Sequence, residues 1–330
     1  MNYVQKINTL LLPQPHLPFK VLDLFAGCGG LSLGFEAVGF TTLGFEMDTK
    51  AAETYTKNLK GHCLAQKLTI DTVYPNDFDI VIGGPPCQPF SVGGNQKGID
   101  DARNGFPVFM AAVEQLKPRV FMFENVRGML YSNKWYLDEV ILKLREMGYK
   151  VEYQLFNAVN YGVPQNRERL FVVGHKGNFK FPKPHLKKTT VGDAIAELVE
   201  RTIDEKKILN ASMDRYVANY EKASSCINPR DLYMHKPART LTCRNISAAT
   251  GDMQRVKLQD GRRRRISVRE AARLQSFPDW FEFCGTETNQ YNQIGNAVPP
   301  LLAFEIANSM KSYFETNLVD EKVVFESGIF

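Results

Sequence analysis

Apolar positions along the chain switch repeatedly between two patterns. Short continuous runs at Val21–Phe25, Thr42–Phe45, Phe78–Ile82, Arg119–Val126 and Leu170–Gly174 end in glycine or acidic residues, and predict strands. Between them the spacing becomes helical: from Leu31, from Lys50 to Leu59, and from Lys134 to Met147, where residues 137, 140, 141 and 144 line one face. Strand and helix alternate from Lys20 to about Lys176, which predicts an α/β fold with a doubly wound sheet. From Gly177 to about Tyr291 the alternation stops and short polar, irregular segments follow, which predicts a second, smaller domain. Helical spacing returns at Ser267–Phe277 and from Leu301 to about Phe314.

In an open α/β sheet the carboxyl ends of the strands collect the chemistry. Four predicted strand ends carry it here. Val21–Phe25 runs into Gly27, Gly29 and Gly30, a turn able to bring backbone close to a ligand, or simply a tight structural turn. Thr42–Phe45 ends in Glu46, Met47 and Asp48, placing a carboxylate where nucleotide folds grip ribose hydroxyls; a helix cap is the bland alternative. Arg119–Val126 ends in Glu124 and Asn125. Phe78–Ile82 leads through Gly83 and Gly84 to Pro85, Pro86 and Cys87, with Pro89 restraining the exit. Prolines fix their own φ and push the preceding residue out of the helical region, so the backbone that presents the Cys87 thiol is stiff. A lone cysteine is usually an inert small hydrophobe, but a rigidly presented one suits nucleophilic catalysis.

The segment PPCQPFSVGG resembles the catalytic motif of the DNA (cytosine-5) methyltransferases. The resemblance recurs, in that family's order, at DLFAGCGGLSLGFE (Asp23 to Glu36), at Glu124-Asn125-Val126, at Gln165, Arg167 and Arg169, at RISVREAARLQSFP, and at YNQIGNAVPP. It covers most of residues 20–176 and 262–310. It implies a Rossmann-like class I methyltransferase sheet over residues 1–176 plus 292–330, with a target-recognition domain over 177–291. It implies S-adenosyl-L-methionine as cofactor, S-adenosyl-L-homocysteine as product, and double-stranded DNA as partner.

Carried over residue by residue, the resemblance makes Cys87 the nucleophile and Glu124 the group that grips N3 and the amino group of a flipped cytosine. Asn125 would hold the local geometry, Arg169 would meet the cytosine carbonyl, and Arg167 would order the catalytic loop. Cofactor contacts would come from Asp23, Phe25, Gly27, Gly29, Gly30, Leu31, Glu46, Met47, Pro86, Asn296 and Ala297. Phe25 would lie against the cofactor, Glu46 would hold its ribose, and Met47 would cover its adenine. Where the family's third motif carries an aspartate, this chain reads Lys67-Leu68-Thr69. The segment PARTLTCRN resembles a shared core of the family's recognition domains, which puts Thr240, Thr242 and Arg244 at the DNA. The glycine-rich stretch from Ser91 to Gly105 is expected to close over the flipped base, with Gln96, Lys97 and Arg103 near DNA.

Composition adjusts this picture in a few places. A net charge of +5 and pI near 8.7 suit phosphate contacts, and the run Arg262–Arg265 is read as one of them. No segment approaches a membrane span, and Pro13 and Pro15 break the amino-terminal leucine run, so a cytoplasmic protein is expected. Six cysteines form no CxxC pair and no ligand pattern with the five histidines, so reduced thiols and no metal are expected. A monomer is expected, paired in function with a restriction endonuclease. Two rivals remain open: a tRNA cytosine-5 methyltransferase of the same architecture, whose CFT tripeptide is absent here, and a DNA-binding relative without turnover.

Overall fold

The computed structural model describes residues 1–86, 104–201, 204–223, 225, 230–247 and 252–326, with side chains up to 317. Cys87, Gln96, Lys97 and Arg103 therefore lie outside the described residues, as does the expected loop up to residue 103. The chain falls into two compact units: 12–156 with 168–184 and 303–330, and 1–11 with 157–167 and 185–302.

The first of these units is built on strands β1 (Lys20–Leu24), β2 (Thr41–Glu46), β3 (His62–Ala65), β4 (Ile80–Gly83), β5 (Val120–Val126), β6 (Lys150–Asn157) and β7 (Glu168–His175). They form a seven-stranded sheet in the order β3-β2-β1-β4-β5-β7-β6. Strands β1 to β5 pair in parallel, whereas β7 runs antiparallel to β5, with Glu124 opposite Phe171 and Val126 opposite Arg169. The continuous apolar runs are buried as the pattern predicts: Leu22, Leu24, Val81, Phe121, Phe123, Leu170 and Val172 join one core.

Strand order reverses between β1 and β4, which creates a crevice outside their carboxyl ends. The register sets Leu24 against Gly83, so the DLFAGCGG turn and the GGPPC turn leave the sheet side by side. A Cβ on Gly83 would lie 2.4 Å from the Leu24 carbonyl oxygen, which is why the strand must end in glycine there. Strand β5 lies on the other side of β4 and delivers Glu124 to the same edge.

The other unit begins with helix α1 (Tyr3–Leu10), and the sheet unit then contributes α2 (Gly30–Val38), α3 (Thr49–Asn58), α4 (Phe106–Leu116) and α5 (Lys134–Glu146). Residues 177–291, expected to be irregular, hold α6 (Val191–Val199), α7 (Ala211–Ala223), α8 (Cys243–Ser247), α9 (Val268–Leu274) and the start of α10 (Glu287–Asn296). They also hold a short antiparallel ribbon of β8 (Arg255–Lys257) and β9 (Arg263–Arg265). Helix α11 (Pro300–Glu326) ends the described chain.

The basic run departs from the phosphate reading. Arg264 is buried and paired at 2.7 Å with the equally buried Glu270, while Arg263 faces Asp231 at 3.2 Å and Arg262 faces Asp260 at 2.6 Å. Three of the four arginines are thus neutralised within their own unit, and the burial of Arg264 in particular removes it from reach of DNA. No described helix is long and apolar enough to cross a membrane. Among the described residues no cluster of three or more His, Cys, Asp or Glu side chains is placed to hold a metal ion.

Candidate functional site

The turn after β1 is unusual in its backbone. Phe25 adopts φ +60°, a left-handed conformation that costs a non-glycine residue on the order of 1 kcal/mol or more and persists only where the surroundings impose it. Gly27 and Gly29 follow at +56° and +87°, where glycine carries no such cost. The space beside Gly27 is open within 4 Å of a would-be Cβ. Helix α2 starts at Gly30 without a side-chain cap, so this end of the helix offers backbone amides and a positive dipole to an anionic group. Glu46, at the end of β2, accepts hydrogen bonds from the Gly27 amide at 2.9 Å and the Asp48 amide at 2.8 Å, which fixes its carboxylate beside the turn. Asp48 in turn caps α3, accepting from the Lys50 and Ala51 amides.

Asp23 is buried in β1 and accepts from the Ser32 hydroxyl at 2.6 Å. Burial raises its carboxyl to about 7, against the lowering effect of that hydrogen bond. Asp23 thus sits beneath the turn. Leu31 is buried, whereas Met47 is 71% exposed and open to contact. Pro86, the last described residue before Cys87, is half-buried, and its carbonyl accepts from the Gly105 amide at 3.0 Å. A Cβ on Gly105 would meet the Pro86 ring at 2.4 Å, so the two described ends flanking residues 87–103 pass in close contact.

Glu124 and Arg169 form an ion pair of 2.8 Å, each only 13% exposed, across the antiparallel β5–β7 pair. A charge taken this far from water is costly unless paired, so the two side chains hold each other in place. Burial pulls the Arg169 guanidinium below its ordinary value, and the Glu124 charge opposes that shift. Arg169 also donates to the Glu168 carbonyl at 2.7 Å. Asn125 donates to the Pro85 carbonyl at 3.0 Å and accepts from the Val126 amide. It thereby ties β5 to the stiff turn that leads to Cys87. A would-be Cβ on Gly84 lies 3.5 Å from Glu124 Oε2, which confirms how close the β4 turn comes to that carboxylate.

Arg167, two residues before Arg169, belongs to the other unit. There it is almost fully buried and donates to the carbonyls of Leu241, Gly295 and Ala297 at 2.7, 3.0 and 3.0 Å. Its neighbour Gln165, also buried, donates to Gln275 Oε1 at 2.5 Å and to the Leu274 carbonyl, and accepts from the Leu241 amide. In the same unit Asn296 accepts from the Cys243 thiol at 3.0 Å, and Ala297 receives the Gln275 amide as well as Arg167. Thr242 and Arg244 are exposed and Thr240 is half-buried, its hydroxyl donating to the Asn166 carbonyl at 2.7 Å.

The structure thus brings together the β1, β2, β4 and β5 strand ends, with Asp23, Phe25, Gly27, Gly29, Gly30, Glu46, Pro86, Glu124, Asn125 and Arg169. It also brings in groups that the sequence pattern did not single out. Ser32 donates to Asp23, and Arg127 pairs with Glu168 at 2.7 Å beside Arg169. Ser32 falls on an otherwise apolar first turn of α2, which is the one signal that marks it.

A family model described as C-5 cytosine-specific DNA methylase matches residues 19–312. The Type II methyltransferase M.AplI of Arthrospira platensis is 55% identical over 297 residues, covering 89% of this chain and 86% of the relative. The Type II methyltransferase M1.HphI of Haemophilus parahaemolyticus is 36% identical over 319 residues, covering 88% and 86%. The solved structure of the Entamoeba histolytica methyltransferase EhMeth shares the fold, with a TM-score of 0.71 at 17% identity over 91% of this chain and 99% of its own. A mixed α/β sheet ending in this set of turns, a family match over nearly the whole chain, and close relatives of one kind agree: the chain belongs to the C-5 cytosine-specific DNA methylases, of the bacterial restriction-modification type.

Proposed function

We propose that this enzyme transfers a methyl group from S-adenosyl-L-methionine to carbon 5 of a cytosine extruded from double-stranded DNA, through a covalent bond between Cys87 and carbon 6. The observation that carries this reading is the secluded Glu124–Arg169 pair, adjoining the Pro85-Pro86 turn through Asn125. Such a pair offers an acid and a fixed cation to one small polar ring.

Carbon 5 of cytosine is a weak nucleophile while the ring stays conjugated. Addition of the Cys87 thiolate at carbon 6, with the Glu124 carboxylic acid giving its proton to N3 and accepting from the amino group, yields an enamine whose carbon 5 carries the electron pair. Arg169 keeps Glu124 oriented and turns its remaining donors to the cytosine carbonyl. When bound, the cofactor supplies an electrophilic methyl group on a sulfonium, and its product is S-adenosyl-L-homocysteine. Loss of the carbon 5 proton to a base then returns electrons to the ring and expels the Cys87 sulfur, and the N3 proton goes back to the Glu124 carboxylate. A thiol of ordinary pKa near 8.5 needs help to ionise, and a nearby guanidinium provides it.

The residues present fit such a cofactor. The open side of Gly27, the uncapped start of α2 and the fixed Glu46 carboxylate suit its amino-acid and ribose groups, with Phe25 against it and Met47 over the adenine. Gly29, Gly30, Leu31, Asp23 and Pro86 complete that side, and Asn296 and Ala297 contribute by their motif. Arg167 orders the backbone around residues 241, 295 and 297. Gln96, Lys97, Arg103, Thr240, Thr242 and Arg244 are the DNA contacts, and residues 177–291 supply target recognition. The protein acts as a monomer in the cytoplasm and protects host DNA from a cognate endonuclease; the last of these is supported by relatives named Type II methyltransferases.

Methyl-labelled cofactor incubated with unmethylated DNA and, separately, with unmodified tRNA tests the reading, with Cys87→Ser as control. Label in DNA that disappears in the variant is the expected result. Label in tRNA alone, or in DNA with the variant, would overturn it.

A further inference from the structure

Beneath the glycine turn lies a row of buried polar side chains between two carboxylates. Asp23 accepts from the Ser32 hydroxyl at 2.6 Å. Tyr55 donates to Thr42 Oγ1 at 2.7 Å, and Thr42 donates to Glu36 Oε1 at 2.6 Å. Glu36 also accepts the Lys60 and Gly61 amides, both at 2.7 Å. Asp23, Ser32, Glu36 and Tyr55 are 0–1% exposed and Thr42 is 4% exposed. Buried groups of this kind are costly unless every one is partnered, so the row fixes the elements it joins.

Tyr55 is its centre. The Tyr55 ring lies 2.7 Å from the position of a Cβ on Gly29 and 2.9 Å from one on Gly44. The ring thus props the turn that enters α2, and the hydroxyl reaches β2 through Thr42. Those two elements carry the glycine turn and Glu46, which are themselves joined by the Gly27 amide.

We propose that Tyr55 is a positioning residue for the cofactor site: ring and hydroxyl together set the glycine turn and the Glu46 carboxylate at the spacing that the adenosyl methionine spans. The proposal rests on the cofactor reading above. Without the hydroxyl, the ring loses its tie to β2 through Thr42 and is free to shift beneath the glycine turn.

Tyr55→Phe keeps the ring and removes the link. Titration calorimetry with S-adenosyl-L-homocysteine, together with steady-state kinetics on DNA, reads the effect. The expected result is a cofactor dissociation constant raised about tenfold, with kcat at saturating cofactor and the KM for DNA unchanged. Thr42→Val, which cuts the same link from β2, gives the same selective shift, and the double variant shows less than the sum of the two. A change in the constants of both substrates together would mark a fold-wide loss and overturn the positioning role. Wild-type cofactor affinity in both single variants overturns the proposal while leaving the cofactor reading intact. If the unaltered enzyme bound no S-adenosyl-L-homocysteine, the cofactor reading itself would fall, and the proposal with it.

Discussion

Asp23 illustrates how a single buried side chain makes stability depend on pH. Its carboxyl is raised to about 7 in the fold, while in the unfolded chain it would titrate near 4. Between those values the folded state holds a proton that the unfolded state has lost, so this group's contribution falls as pH rises through that window and its cost is complete above it. Three units correspond to a cost on the order of 4 kcal/mol. Asn in its place keeps an oxygen for the Ser32 hydroxyl and removes the titration. Urea unfolding of Asp23→Asn and wild type is expected to show a difference that moves by a few kcal/mol in favour of Asn between pH 5 and pH 8. A difference that stays constant with pH would refute this account. At this scale the sequence was readable where a residue type has one use in a given pattern: an acid closing an apolar strand, as at Glu46 and Glu124, is placed by the strand. It was less readable for arginine. The same guanidinium serves phosphate or a buried carboxylate equally well, and nothing local in Arg262–Arg265 distinguishes Arg264, whose partner Glu270 lies on the next helix.

At the scale of elements, the apolar runs located β1, β2, β4, β5 and β7 to within a residue or two, because strands buried on both faces leave few polar positions. Strand β6 escaped, since Lys150–Asn157 is exposed or half-buried at most positions and reads as a polar segment. The ribbon of β8 and β9 escaped for a related reason: it is mostly arginine, with Arg255 and Arg263 both paired to Asp231, an acid far away in sequence. Close approach between helices is also invisible in one dimension. Gly34, in the middle of α2, would place a Cβ 2.4 Å from the Phe304 amide nitrogen and 2.5 Å from the Ala303 carbonyl carbon in α11. Glycine in a helix interior ordinarily costs up to about 1 kcal/mol relative to alanine. Here the sign is expected to reverse, because both obstacles include backbone, which cannot swing away. Gly34→Ala should lose about 2 kcal/mol from overpacking, seen as a lowered melting temperature by circular dichroism. A variant that melted at or above wild type would show that α11 yields freely.

At the scale of the whole molecule, sequence proximity and structural membership part company. Residues 177–291 look in sequence like a self-contained insertion, yet the compact unit that holds most of them also includes residues 1–11 and 157–167. The reason is in the side chains. Gln165 and Arg167 are buried and together partner Leu241, Leu274, Gln275, Gly295 and Ala297. The Asn166 amide donates to the Ala238 carbonyl and the Ala238 amide to the Pro164 carbonyl, while the Tyr3 hydroxyl donates to the Arg273 carbonyl at 2.6 Å. A polypeptide of residues 185–302 alone would leave these groups in apolar surroundings without partners, each at a cost of about 1–3 kcal/mol, against a total stability of about 5–15 kcal/mol for a domain. Five or six such losses exceed what a unit of this size can absorb. The isolated segment is therefore expected to show no cooperative thermal transition and to bind a hydrophobic dye, whereas the full chain melts cooperatively. A cooperative transition of the fragment near the full chain's melting temperature would mean that residues 1–11 and 157–167 are dispensable, and that the buried hydrogen bonds of Gln165 and Arg167 can be replaced by water.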